Sequence, residues 1–215
     1  MNVYEAIAAR KTIRDFARTP IPQEVLQRIL GAGLQAPSHN HLRQWSFILV
    51  EDSRQREALV SFFRAERTQS ELRSMLDGWN MSIECQRLMY LDGIPKQASM
   101  ILNAGALVVP CFYQPSPILE EKKSLHELNA LASMWAVLEN ILIAAASEGV
   151  LGVTKIVSTP DEATHIRNVL AIPEDQEMPC YLALGYPSED VVIHKQVPVD
   201  LQERISIDRW SSSGE

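Results

Sequence analysis

The longest apolar stretch of the chain constrains its fold most strongly. Its apolar residues recur every three or four positions, which predicts a long helix ending near Gly149: Leu125, Leu128, Leu131, Trp135, Leu138, Ile141, Leu142 and Ala145. Alanines occupy much of the remaining surface, so the helix is apolar nearly all round and must be buried from several sides. In a chain of 215 residues, it either runs through the centre of the domain or buries one side against another subunit.

A membrane span is the other use of such a stretch, but Glu139 and Asn140 interrupt it, and we expect a buried helix with no membrane partner. The amino terminus lacks a basic stretch followed by an apolar run, so we expect no secretory signal. Cys85, Cys111 and Cys180 are widely spaced and form no CxxC pair, which indicates neither a disulfide framework nor a thiolate zinc site. A reducing, cytoplasmic location fits this pattern best.

Composition and motifs exclude several classes of protein. The chain is 46% hydrophobic with a net charge of -7, which is ordinary for a globular protein and disfavours a nucleic-acid partner. The sequences GxGxxG, GxxxxGK[ST], GxSxG and HExxH are all missing. Their absence argues against Rossmann, P-loop, α/β-hydrolase and zincin sites. His39 and His41 are two positions apart without a visible third ligand, so we expect no metal.

The order of the predicted elements indicates an α+β fold in which helices surround a central sheet of about four strands. The predicted strands are 45–50, 104–113, 153–157 and 181–185, and the helices include 3–9, 23–35, the long apolar helix and one that begins at Thr159-Pro160. We predict one domain over residues 1–215. Within it, residues 52–103 form a helical insertion, either a lid over a site or an ordinary helical hairpin. Residues 197–215 form a tail with embedded apolar side chains, which we expect to dock on the partner subunit.

A tight basic cluster directly follows the first predicted helix. Arg10, Lys11, Thr12 and Arg14 place three cations and a hydroxyl within five positions of an otherwise acidic chain. Guanidinium groups pair with phosphate oxygens in a bidentate manner, and a hydroxyl adds a donor. The cluster is therefore either a phosphate-binding segment or a solvated basic turn.

Four segments, in order, resemble the nitroreductase family of FMN-dependent oxidoreductases. They are AARKTIRDF at 8–16, APSHNHLRQWSF at 36–47 running into ILV, ENILIAAASEGVLG at 139–152, and LAIPE at 170–174 followed by LALGYP at 182–187. The resemblance covers about residues 3–200. It implies an α+β homodimer with a mainly antiparallel sheet of four to five strands. Two FMN molecules lie in the dimer interface, and the long central helices form its core.

The resemblance also assigns residues to the cofactor. Arg10, Lys11, Thr12 and Arg14 match the element that binds the FMN phosphate and ribityl chain, with Thr12 standing where serine is common. The loop that touches flavin from the partner subunit is matched by Pro37, Ser38 and their neighbour His39.

Two positions of this loop depart from the family pattern. His41 and Arg43 stand where asparagine and glutamine are common. Arg43 either approaches the flavin N1/C2 carbonyl, where a cation raises the flavin potential, or pairs with ribityl or phosphate oxygens. A surface or interface ion pair is the remaining alternative.

Two further segments complete the implied cofactor site. Thr154, Lys155 and Ile156 match the strand whose backbone runs beside the reactive edge of the flavin, and the resemblance does not specify which N–H faces N5. His194 and Lys195 are the candidates for closing the phosphate site, although Gln196 stands where arginine is common.

The implied activity is an FMN-dependent oxidoreductase that passes hydride from NADH or NADPH through flavin N5 to a small electron acceptor such as a nitroaromatic or quinone. The flavin carries the chemistry, so no catalytic side chain is expected. The alternatives are a specialised flavin reductive enzyme of the dehalogenase type and a non-catalytic flavin-binding protein.

Overall fold

The computed structural model describes residues 1–63, 67–119 and 122–210. The chain divides into two compact units. The first comprises Met1–Glu66 and Pro95–Ile193, and the second comprises Arg67–Ile94 and His194–Glu215. The single domain expected over 1–215 stays a prediction.

The first unit contains an antiparallel sheet, as predicted. Its strands are β1 (Trp45–Leu49), β2 (Ala106–Tyr113), β3 (Leu151–Ile156), β4 (Gln176–Glu177) and β5 (Cys180–Gly185). Their order is β1-β2-β5-β3, with the short β4 paired to β2. All the pairings are antiparallel. Strand β3 is an edge strand, so the side of β3 that faces away from β5 is open to other backbone segments.

Eight helices lie in the described part of the chain. They are α1 (Val3–Ala9), α2 (Gln23–Gly33), α3 (Ser53–Val60), α4 (Gln69–Gly78), α5 (Glu84–Gly93), α6 (Gln97–Asn103), α7 (Asn129–Ser147) and α8 (Pro160–Leu170). Local capping starts two of them as the sequence predicts. Asn2 and Glu5 form a capping box on α1, and the Thr159 side chain caps α8 with proline at its first position.

Helices cover both faces of the sheet. Along β2, side chains alternate between the two faces: Leu107, Val109 and Cys111 join a core beneath α3, α6 and α8, whereas Ala106, Val108 and Phe112 join a core beneath α2 and α7. The sheet is therefore the middle layer of the first unit.

Helix α7 is the long apolar helix, but it begins later than predicted. Ser124 and Glu127 form a capping box, in which Glu127 N donates to Ser124 Oγ at 3.3 Å and Ser124 N donates to Glu127 Oε2 at 2.9 Å. That box closes a separate turn, and α7 starts at Asn129. The helix then packs on α1, α2, β2 and β3.

Only part of α7 is buried within this chain. Met134, Val137 and Ile141 are inaccessible to solvent, whereas Trp135 is 36% exposed. By length and composition alone, α7 is the one described helix that could cross a membrane, and 33% of its apolar window is buried. The helix is thus not buried all round within the chain, and burial of its remaining side against another subunit stays a prediction.

The second unit is built on α4 and α5. Leu72, Leu76 and Leu91 form its small core. His194 Nε2 lies 3.0 Å from Asp92 Oδ2, which ties the start of the tail to α5. The described part of 52–103 contains the four helices α3 to α6. Its role as a lid or a hairpin stays a prediction.

Candidate functional site

The basic segment predicted from the sequence is held against the edge of the sheet. Thr12 pairs in parallel with Gly152 at the start of β3, and Ile13 N donates to Gly152 O at 3.3 Å. Ile13 is fully buried, whereas Lys11 and Thr12 are exposed. Further along, Phe16 forms a bridge with Pro187. The side chains of Lys11 and Thr12 therefore face outwards, whereas that of Ile13 packs inside the protein.

Gly152, the partner of Thr12, has no room for a side chain. A Cβ at this position would lie 2.6 Å from Leu184 Cδ2 and 2.8 Å from Ala183 O, both on β5. The second contact is with backbone, which cannot move aside without disturbing the sheet. A side chain is therefore excluded where Thr12 meets β3.

The cations of the segment have partners within the chain, as Arg10 and Lys11 show. The Arg10 side chain is one-quarter exposed, and its Nε lies 3.2 Å from Glu139 Oε1 on α7. Lys11 Nζ donates to Ala8 O at 2.8 Å, at the carboxyl end of α1. Arg14 is half-buried.

A further cation reaches the same segment. Lys96 Nζ lies 2.6 Å from Asp15 Oδ2. Together with Arg10, Lys11 and Arg14, this brings four cationic side chains to the segment, and Glu139 and Asp15 are partners of two of them. A phosphate monoester carries about −1.5 to −2 charges at pH 7. The segment therefore presents cations of the kind that bind a phosphate.

The side chains along β3 divide between its two faces. The ammonium group of Lys155 forms an ion pair with Glu162 and lies 4.7 Å from the centre of the Phe63 ring. Both members of the pair are nearly inaccessible to solvent. Because neighbours on a strand alternate, Thr154 and Ile156 point to the opposite face. The Lys155 side chain is thus committed to the core, and its backbone is the part available to a cofactor.

The loop at 37–43 is held by hydrogen bonds within the loop and to α7. Ser38 Oγ accepts from Arg43 N at 3.2 Å, and Ser133 Oγ on α7 accepts from His39 N at 2.9 Å. Asn40, His41 and Arg43 adopt left-handed backbone angles, with φ values of 53°, 56° and 48°. Such angles are uncommon for residues other than glycine, so the surrounding contacts must hold the loop in place.

The two halves of the predicted site contact α7 at different places. Ser133 holds the loop, whereas Glu139 holds Arg10 six positions further along. An α-helix rises about 9 Å over six residues and turns by roughly 600°, which leaves the two positions about 120° apart. Within one chain, Arg10–Arg14 and β3 therefore form one cluster, and residues 37–43 form another.

His194 and Lys195 belong to the second compact unit. There His194 is paired with Asp92. Their assignment to the phosphate site stays a prediction, as do the flavin contacts of the other predicted residues.

Other chemistries find little support in the described residues. Within 1–63, 67–119 and 122–210, no group of three or more His, Cys, Asp or Glu side chains could hold a metal ion. The three cysteines are free. Burial raises the pKa of Cys111 to about 12 and also raises the pKa of Cys180. Neither thiol is therefore a nucleophile near neutral pH.

Sequence reasoning missed three members of the first cluster: Glu139, Lys96 and Asp15. Glu139 and Asp15 lie inside segments that resemble the family, but their charges gave no sign of a partner. Lys96 follows Pro95 near the end of the predicted insertion and carried no recognisable motif. Only the tertiary fold brings these residues together.

Comparison with known proteins gives a consistent family. A model described as "Nitroreductase family" matches residues 7–186. The curated iodotyrosine deiodinase 1 of Rattus norvegicus is 23% identical over 192 residues, which cover 88% of this chain and 64% of that protein. The chain thus spans about two thirds of the length of this relative.

Solved structures share the fold. The NADPH:FMN oxidoreductase of Vibrio harveyi, complexed with NAD+, has a TM-score of 0.68 and 22% identity, covering 99% of this chain and 79% of that one. Oxidised iodotyrosine deiodinase bound to FMN and 3-iodo-L-tyrosine has a TM-score of 0.62 and 19% identity, covering 98% and 100%.

Proposed function

The chain belongs to the nitroreductase family, and on this premise we propose that it is an FMN-dependent oxidoreductase that uses NADH or NADPH to reduce a small acceptor such as a nitroaromatic or quinone. The observation that carries the proposal is the basic segment that pairs with the edge of β3, whose cationic side chains suit a phosphate monoester. The solved relatives named for FMN share the fold around it.

The chain's own residues would hold FMN at its two ends. Arg10, Lys11 and Arg14 would bind the phosphate through charge-assisted hydrogen bonds, and the exposed Thr12 hydroxyl would donate to the phosphate or ribityl oxygens. When bound, FMN would supply the redox chemistry, which is hydride transfer from the nicotinamide and electron transfer to the acceptor.

The edge of β3 would position the reactive part of the cofactor. An edge strand directs unpaired N–H groups outwards, and the backbone of Thr154, Lys155 and Ile156 would supply such a donor. The buried pair between Lys155 and Glu162 anchors this segment, since Glu162 also accepts from Ser158 N at 3.1 Å. The donor's position is therefore set before any ligand binds.

We further propose a homodimer in which the loop at 37–43 of one copy completes the flavin site of the other. Pro37, Ser38, His39, His41 and Arg43 would contact the flavin in this way. The separation of the loop from the basic segment around α7 supports this arrangement.

Exposed apolar surface also supports the dimer. Trp135 on α7 and Val3, Tyr4 and Ile7 on α1 are at least one-third exposed. The tail adds Ile207 and Trp210, which are 83% and 92% exposed. A second copy would cover such residues. We propose a cytoplasmic location, which fits the free cysteines.

The experiment is an absorption spectrum of the purified protein followed by anaerobic addition of NADH and of NADPH. We expect a yellow protein whose flavin bands bleach on addition of at least one nicotinamide and return with a quinone. A protein that stays colourless after incubation with FMN contradicts flavin binding. Bound flavin that neither nicotinamide reduces contradicts the oxidoreductase and supports a storage role.

Reductive dehalogenation is the second candidate function. It is favoured by the curated relative, an iodotyrosine deiodinase, and by the solved deiodinase of the same fold. In that reaction, two electrons and a proton convert an aryl iodide into an arene and iodide. Iodide release from 3-iodo-L-tyrosine with dithionite-reduced protein, together with slow quinone turnover, would favour this candidate over the general oxidoreductase.

A further inference from the structure

A small recess lies between the loop at 37–43 and the beginning of α7. Its volume is about 40 Å³. Its lining residues come from the loop, from β1 and β2, and from α7: Ser38, His39, Leu42, Arg43, Gln44, Trp45, Phe112, Tyr113, Ala130 and Ser133. Ligand pockets usually measure roughly 300–1,000 Å³, and one water takes about 30 Å³. The recess is therefore too small for an aromatic ring and fits a single polar group of a larger ligand.

The lining of the recess favours an anion. Among the described residues that form it, Arg43 is the one with a full charge, and no carboxylate is present. The guanidinium fork presents five N–H donors in a plane that matches a carboxylate in a bidentate manner. Gln44 and Tyr113 add neutral donors at the same recess. An incoming carboxylate would thus meet one cation and several donors without a competing negative charge.

The backbone of the loop beside the recess is held before a ligand arrives. Arg43 N donates to Ser38 Oγ, and His39 N donates to Ser133 Oγ. The His39 ring stands edge-on to His126, with ring centres 5.1 Å apart and planes at 81°. Both ends of the loop backbone are therefore anchored, so binding requires ordering mainly of the exposed Arg43 side chain.

The His39 ring is oriented by its neighbour. Asn40 Nδ2 lies 3.0 Å from His39 Nε2. This contact joins the His39 ring to the next residue of the loop.

We propose that this recess binds the carboxylate of an aromatic electron acceptor, with Arg43 as its cation. The inference rests on the proposed function, because the loop would then lie at the flavin of a second copy. The acceptor's ring would remain outside the recess, over the flavin, with Leu42 and Trp45 as apolar neighbours. The flavin contact proposed for Arg43 engages one edge of the guanidinium, and the other N–H groups remain for the acceptor.

The volume favours a carboxylate over a phosphate. A carboxylate adds three heavy atoms in one plane, whereas a phosphate adds five atoms in a tetrahedron. A 2′-phosphate of NADPH is nevertheless an anion from another source, and the experiment has to distinguish it from an acceptor's carboxylate.

The test compares matched ligands that differ only in charge. Binding of benzoate and benzyl alcohol to the flavin-loaded protein is measured by calorimetry, and turnover of 4-nitrobenzoate and 4-nitrobenzyl alcohol gives KM and kcat. We expect the anionic member of each pair to bind about tenfold more tightly or better, as one charge-assisted hydrogen bond provides. In Arg43→Gln this ratio falls towards one. In Arg28→Gln, an exposed arginine paired with Glu148 elsewhere, the ratio is retained.

Two results would overturn the inference: equal binding of benzoate and benzyl alcohol, or a ratio that survives in Arg43→Gln. If that variant keeps the benzoate ratio and also loses a preference for NADPH over NADH, the recess binds a nicotinamide phosphate instead. If the protein prefers benzoate but neither nicotinamide reduces its flavin, the proposed function is contradicted and the carboxylate site stands. If its flavin is reduced normally but benzoate is not preferred, the carboxylate site is contradicted and the proposed function stands.

Discussion

The Arg10 guanidinium and the Glu139 carboxylate form an ion pair, with Nε and Oε1 3.2 Å apart, that joins the end of α1 to the middle of α7. Arg10 is the first cation of the segment proposed to bind phosphate, so this pair lies within the cofactor site. The Nε edge of the guanidinium is engaged, and its Nη groups remain for a second anion. Glu139 therefore both holds Arg10 and competes for it.

Replacing Glu139 by glutamine should tighten FMN binding roughly threefold. The Glu139 side chain is half-exposed, so the ion pair contributes little to stability, and removing its charge also removes repulsion of the phosphate. Fluorescence titration of the apoprotein measures the effect. Glu148→Gln, which breaks another exposed arginine pair, should leave FMN affinity unchanged. Weaker FMN binding in Glu139→Gln would show that the carboxylate mainly orients Arg10.

Gly33→Ala should destabilise the protein by about 1–3 kcal/mol through overpacking. A Cβ at Gly33 would lie 2.5 Å from Ile141 Cγ1 and 3.2 Å from Val137 Cγ1, where α2 crosses α7. Gly31 is the matched control, because a Cβ there meets nothing within 4 Å. Alanine at Gly31 should stabilise the helix by up to about 1 kcal/mol. Urea unfolding measures both, and equal effects would contradict the close packing of α2 on α7.

Lys155→Met should cost about 3–5 kcal/mol of unfolding free energy, because it leaves the Glu162 carboxylate buried without its cation. The double variant Lys155→Met/Glu162→Gln removes both charges and should recover most of that loss. Thermal or urea denaturation of the wild type, Lys155→Met, Glu162→Gln and the double variant measures the coupling. Additive losses in the double variant would show that the two side chains act independently.

The three cysteines should differ in their reaction with a thiol reagent at pH 8. Burial raises the pKa of Cys111 to about 12, so its reactive thiolate is scarce below that pH, and burial raises the pKa of Cys180 in the same direction. Cys85 is half-exposed on α5. Ellman's reagent should therefore detect one thiol in the native protein and three after unfolding. Rapid labelling of all three native thiols would contradict the burial of Cys111 on β2 and of Cys180 on β5.

Local sequence signals predicted most of the fold. The apolar run after Gln44 became β1, and Thr159-Pro160 started α8, because capping and β-propensity act between neighbours in the chain. The start of α7 was wrong, since the same hydrogen bonds that cap a helix also close an isolated turn at Ser124. The two-residue β4 carried no periodic signal.

The candidate site was predicted less completely than the fold. The basic composition of 10–14 pointed to a phosphate-binding segment, but its pairing with Gly152 depends on the fold of the sheet. The resemblance assigned Lys155 to the cofactor through the backbone of its segment, and it gave no sign that the ammonium group pairs with Glu162. Which face of a strand a charge occupies depends on its distant neighbours, and periodicity over six residues does not specify them.

The central claim is that the segment Arg10–Arg14 binds a flavin phosphate, and comparing FMN with riboflavin tests it most directly. Apoprotein titrated with each flavin should bind FMN far more tightly, because riboflavin lacks the phosphate. Arg10→Ala and Arg14→Ala should each weaken FMN binding by about 1.5–3 kcal/mol, the contribution of a hydrogen bond to a charged group, while changing riboflavin binding little. Equal affinity for the two flavins, or unchanged FMN affinity in both variants, would contradict the account.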